Sequence, residues 1–236
     1  MHQQLLELTL PARYSYGDWI QHAGAEAAHN RLALWLVHGG RLWLRSDRPA
    51  GKTHLLHALA EEHPHIGLIR PGLASADHGW ALVNTWLADL DERALWMVDV
   101  EAGPLPYATG IALFHLIERA REMHRPLLVA WRCGEAELAP PELASRMKGM
   151  EQVSMAPPHT DADLRGVLMS VAASCQWSVD EAVLTLLLSR LPRDLSVLVD
   201  TLDAMERAAL QQRRRLNVVW ARQYLVQWQQ GEDHRS

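Results

Sequence analysis

Apolar residues recur at helical spacing from about Ala23 to Val37 and stop before Gly39-Gly40, which predicts a helix. Arg41-Leu-Trp-Leu-Arg45 alternates instead and reads as a strand, and Ser46 to Gly51 is a polar turn. Lys52 to His63 returns to helical spacing. Ile66 to Arg70 is a short strand closed by Pro71-Gly72, and Trp80 to Leu90 a helix. Ala94-Leu-Trp-Met-Val-Asp-Val100 is a continuous apolar run that ends in a carboxylate, as a strand buried on both faces reads. Thr109 to Met123 is helical, Pro126 to Trp131 another buried strand, Pro141 to Met147 a short helix and Glu151 to Met155 a last strand. Past Pro157-Pro158 the strand pattern ends, and helices are predicted over 161–175, 179–191, 194–213 and 217–229. Ser178 and Glu181 have the spacing of a capping box for the second of these.

Strands alternating with helices imply a parallel sheet with crossover helices. The expected fold is therefore α/β, a five-stranded parallel sheet followed by an all-helical module. The expected division is a tail over 1–13, a base over 14–156 and a helical lid over 157–236.

Composition narrows the function classes. A formal charge of −5 gives no broad excess of Lys and Arg to coat nucleic acid. Two cysteines, Cys133 and Cys175, exclude a disulfide framework and suit a reducing cytoplasm. The first residues lack the basic and apolar regions of a signal peptide, and no apolar run approaches bilayer length, so a cytoplasmic location without a membrane partner is expected. Ten Trp stand beside one Phe, so Trp must fill aromatic core positions, with Trp43, Trp80 and Trp96 on apolar faces or strand ends.

Ser46-Asp-Arg-Pro-Ala-Gly51-Lys52-Thr53 follows a strand, opens a helix, and matches G-x-x-x-x-G-K-[ST] except at Ser46. In such a loop Gly51 and the helix N-terminus cradle phosphates, Lys52 reaches the β/γ oxygens and Thr53 ligates Mg²⁺. The lost first Gly counts against it where positive φ is needed, and an ordinary turn opening a helix has the same pattern. Asp99 ends a buried strand where a second Mg²⁺ ligand belongs, or where a carboxylate caps a turn. Glu101 is the nearby candidate to orient an attacking water.

These residues resemble the DnaA-type AAA+ ATPases, and most of all their Hda branch of DnaA regulators. Gly51-Lys52-Thr53-His54-Leu55-Leu56-His57-Ala58 is close to the family's G-[KR]-[ST]-H-L-L-H-A. Ser15 to Trp19 resembles the element that opens the AAA+ core. Leu143-Ala144-Ser145-Arg146 resembles the segment carrying the arginine finger. Leu191 to Leu195 with Leu202 to Ala208 resembles the lid helix carrying sensor 2. The family's helix-turn-helix is expected to be absent beyond the lid.

The departures from the family concern catalysis. Val100 stands where DnaA has a second carboxylate, the sensor 1 position falls at Ala130 or Trp131, and sensor 2 falls at Ser196 with Arg193 nearby as a substitute. Trp131 could fill the space a sensor residue would leave. The resemblance thus implies weak or no intrinsic ATPase, with ADP or ATP and Mg at the loop and Arg146 acting in trans on DnaA. Gln4-Leu5-Leu6-Glu7-Leu8 resembles, one residue short, the peptide that docks the branch on the sliding clamp; a tail packing on its own domain is the alternative. The implied partners are DnaA and the clamp, with DNA reached only through them. A nucleotide-independent adaptor and an active loader ATPase are the competing functions, and a homo-oligomer stays open.

Thirteen histidines raise a metal reading, but His54 and His57 belong to the family pattern, and His63 and His65 read as solvated. No metallohydrolase or serine-hydrolase motif occurs. Arg213-Arg-Arg215 with Arg222 reads as a basic helix terminus or a DNA-facing surface.

Overall fold

A computed structural model of the chain describes residues 20–71, 80–100 and 102–233. They divide into two compact units, 21–159 and, with Ile20, 160–233.

The first unit opens with α1 (Glu26–His38), then β1 (Arg41–Arg45), α2 (Lys52–Glu62), β2 (Ile66–Ile69), α3 (Trp80–Leu90) and β3 (Leu95–Val100). It continues with α4 (Tyr107–Glu122), β4 (Leu127–Trp131), α5 (Pro141–Lys148) and β5 (Glu151–Ser154). The five strands are parallel in the order β2-β3-β4-β1-β5, as the alternating pattern predicts. The chain leaves β1 for one edge of the sheet and leaves β4 for the other. Their carboxyl ends therefore flank a crevice, the place where open α/β sheets bind ligands.

Central strands β3 and β4 are buried at every residue, which is why they read as unbroken apolar runs. The sheet's two faces divide these residues by alternation. Trp43, Trp96, Val98, Val100, Leu127, Val129 and Trp131 join the core formed with α3 and α4. The alternate set, including Asp99 and Ala130, belongs to the face on which α2 packs against β2 and β3. Edge strand β5 is mostly exposed and polar.

The abundance of Trp has a polar explanation as well as an apolar one. Each of the four fully buried indoles donates its N–H to a backbone carbonyl: Trp35 to Gly40 (3.0 Å), Trp43 to Trp131 (3.3 Å), Trp96 to Arg93 (3.3 Å) and Trp131 to Gly103 (3.0 Å). Phe would fill similar volume and leave those carbonyls without this donor. Trp80 departs from the core expectation. It is 59% exposed and stacks on His115 with ring centroids 4.4 Å apart.

The second unit is helical: α6 (Asp161–Ser174), α7 (Glu181–Arg190), α8 (Leu195–Gln211) and α9 (Val218–Asp233). Its core is built largely of leucine, including Leu168, Leu187, Leu198 and Leu202. Thr160 caps α6 by accepting from Asp163 N at 3.0 Å, and Asp194 caps α8 by accepting from Ser196 N at 2.9 Å. The capping box expected from Ser178 and Glu181 does not form. Helix α7 begins only at Glu181, so Asp180 holds the cap position and Ser178 lies too far out to reach the first turn.

Candidate nucleotide site and arginine finger

The loop after β1 has the local geometry a phosphate cradle requires. Gly51 caps α2 in the left-handed region, at φ 83° and ψ 18°, where a side chain would be strained. Ser46, which replaces the motif's first Gly, is not among the described residues with positive φ, so the replacement brings no backbone strain there. Its hydroxyl accepts from the Lys52 ammonium.

Lys52 is only 9% exposed. Burial, and then the nearby charge of Arg132, push its pKa down to about 8, while Asp99 opposes the shift. The ammonium is therefore poorly compensated by its own protein and suited to an anion. Asp99 is buried at the end of β3, opposite Ala130 of β4. Thr53 donates to its Oδ1 at 3.1 Å, and Arg70 Nε lies 3.2 Å from Oδ2. Oδ2 is buried with no hydrogen bond of good geometry, so the Arg70 pairing is electrostatic. Both oxygens of the carboxylate thus face side chains; the Thr53 hydroxyl keeps lone pairs for a metal, and what does not fit a bound Mg²⁺ in this arrangement is the Arg70 cation against Oδ2. His57, two places into the next turn of α2, is lowered by burial against the pull of Asp99.

The positions that depart from the family pattern are explained by the two faces of the sheet. Val100 points into the core with α3 and α4 and carries no acid to the site. Ala130 lies on the face of Asp99 and offers no donor. Trp131 packs in the opposite core and donates to Gly103, so the expectation that it fills a sensor space gives way to a core role. Glu101 lies outside the described residues, as do Gln4, Leu5, Leu6 and Leu8 of the tail and the Ser15 to Trp19 element. Sequence reasoning missed Arg70 and Arg132. Each is the first residue past a strand, β2 and β4, at the carboxyl edge of the sheet where the crevice opens; that position was the available signal.

Arg146 lies on α5, in the same unit. Its Nε is 2.5 Å from Glu118 Oε1, and its guanidinium carbon is 5.8 Å from the Phe114 ring centre. The hydrogen bond from Arg146 holds the Glu118 carboxyl below its usual range, helped by Arg121 at 3.1 Å. Arg146 keeps 39% of its side chain exposed.

In the helical unit, Arg193 is bidentate to Asp161, at 2.7 and 3.2 Å, on an exposed surface. Ser196 is spent on the α8 cap, its Oγ donating to Asp194 at 2.6 Å. Arg215 pairs with Asp180 at 3.2 Å. Among the described residues no group of His, Cys, Asp and Glu could hold a metal ion, and no helix is long and apolar enough to cross a membrane.

Comparison with known proteins agrees with this architecture. Residues 161–225 match the family model described as Hda, lid domain. Domain III of the Thermotoga maritima replication initiation protein DnaA superposes with a TM-score of 0.63 at 13% identity, over 88% of this chain and 93% of that one. The Thermotoga maritima RuvB Holliday junction branch migration motor gives 0.59 at 15% identity, over 90% and 71%. AMPPCP-bound DnaA from Aquifex aeolicus gives 0.57 at 16% identity, over 84% and 66%.

Proposed function

We propose, for a chain that is an AAA+ protein of the DnaA/Hda type, that it regulates replication initiation by promoting ATP hydrolysis on a DnaA partner. The match of residues 161–225 to the Hda lid is the observation that carries this reading. Arg146 is the residue assigned to the partner's nucleotide. Its guanidinium sits at the surface, held by Glu118 rather than buried, so it can be presented in trans. A guanidinium placed on a transferring phosphoryl group stabilises its charge, an effect worth about 10³ to 10⁵ in rate.

The home loop plays a different part. Gly51, Lys52 and Thr53 bind ADP or ATP, the backbone and ammonium facing the phosphates. Hydrolysis there is weak, because Val100, Ala130 and Ser196 supply no acid or donor where the charge develops. Arg193 reaches a nucleotide only by leaving Asp161. The tail residues Gln4, Leu5, Leu6 and Leu8 dock on the sliding clamp, with the Gln setting register and the Leu side chains filling an apolar pocket.

The test is turnover of DnaA-bound ATP in the presence of clamp and DNA. The wild-type chain should accelerate it, and Arg146→Ala should lose about 10³-fold of that acceleration. Equal turnover with both proteins would sink the mechanism.

A further inference from the structure

The charges around the loop do not match a site that waits for a metal. Among the described residues, Lys52, Arg132 and Arg70 stand against the one carboxylate of Asp99. In a phosphate loop, Mg²⁺ ordinarily brings two positive charges to the phosphates beside the Lys. Here two arginines, at the carboxyl ends of β2 and β4 on either side of β3, bring the same total. The placement of Arg70, against Asp99, is also the metal's. Thr53 closes one oxygen of Asp99 at 3.1 Å, and Arg70 holds the other at 3.2 Å. That oxygen is buried and accepts no hydrogen bond of good geometry from the described residues. Arg70 reaches it from the surface with 48% of its side chain exposed. Its guanidinium carries further N–H groups beyond the Nε that faces Asp99, and these can serve an arriving phosphate.

Resting on the reading that the loop binds nucleotide, we propose that it takes the phosphates of ADP without a divalent cation, Arg70 standing between Asp99 and the phosphates where Mg²⁺ would. An arginine in that position neutralises charge but brings no bound water, which also suits a loop that holds nucleotide without turning it over.

Calorimetric titration of the full chain with ADP, once in excess EDTA and once in Mg²⁺, tests this. Wild type should bind with affinities that agree within about threefold, because the arginine and not the metal supplies the charge. Arg70→Ala should lose about tenfold in EDTA and recover in Mg²⁺, since the bared oxygen of Asp99 can then take the metal. Arg70→Lys, which keeps the charge, should stay near wild type in both. Wild-type binding that weakens more than about tenfold in EDTA overturns the proposal and leaves nucleotide binding standing. An Arg70→Ala protein that matches wild type in both buffers also overturns it. No binding of ADP by wild type in either buffer overturns the nucleotide reading itself, and this proposal with it. Unchanged thermal unfolding of the variants establishes that their folds are intact.

Discussion

Lys52 and Arg146 are both cations assigned to phosphate, and their surroundings are opposite. Lys52 is buried, close to Arg132, and its ammonium is pushed down to about 8 by desolvation. Arg146 is half-buried at the surface, bound to Glu118, and its guanidinium is held firmly charged by that hydrogen bond. A buried charge short of a counter-ion costs free energy until a ligand arrives, so the loop is organised for an anion that comes and stays. A surface charge that already has a carboxylate costs nothing while it waits. It is organised to be exchanged from one acid to another when a partner docks. The two groups thus suit a resident nucleotide and a transient one.

Three measurements, on four substitutions, probe that contrast and the balance of buried and exposed charge behind it. The largest effect belongs to Lys52→Ala, which should weaken ADP binding by about thirtyfold or more, while Arg146→Ala leaves ADP affinity at the wild-type value. Calorimetry on the two variants decides it, and equal losses would show that the sites are not separate. The second is Glu206→Gln on α8. One oxygen of Glu206 is buried without a hydrogen bond, and burial raises its carboxyl above the ordinary value. The folded state then holds the proton more tightly than the unfolded chain. Stability falls as pH rises from the ordinary value through the raised one, and the penalty is complete above it. Glu206→Gln should therefore add about 1 kcal/mol in denaturant unfolding at neutral pH, with the gain shrinking in acid.

The smallest effect is Glu118→Gln. The folded-state pKa of Glu118 is lowered by Arg146, so the pair's contribution is present above the unfolded value and is lost as pH falls through the folded one. The variant should be slightly less stable than wild type at neutral pH and indistinguishable from it in acid, as thermal unfolding at both would report. A large loss at neutral pH would mean that the pair is structural rather than a surface latch.

Much of this was legible in the chain. Unbroken apolar runs at Leu95 to Val100 and Leu127 to Trp131 announced buried central strands, because a strand covered on both faces needs no polar alternation. Gly51-Lys52-Thr53 between a strand and a helix announced the loop, and the left-handed Gly51 meets that requirement. The capping box at Ser178 did not hold, because the spacing of two residues says nothing about where the first helical turn closes. Trp80 was indistinguishable from the core tryptophans, since an indole beside apolar neighbours reads alike whether the helix turns it inward or toward His115.

The pattern of apolar and polar residues by itself determined the order of elements, the parallel sheet, the helical module and the phosphate loop. Those follow from period and from turn chemistry, which are local. Only the tertiary structure decided which groups share a site. Arg70 and Asp99 are far apart in the chain and meet because β2 and β3 are neighbours in the sheet. Val100 and Trp131 were set aside from the site because alternation turns them to the other face. Charge balance at a site is a sum over residues that the fold brings together, and no local stretch of sequence contains it.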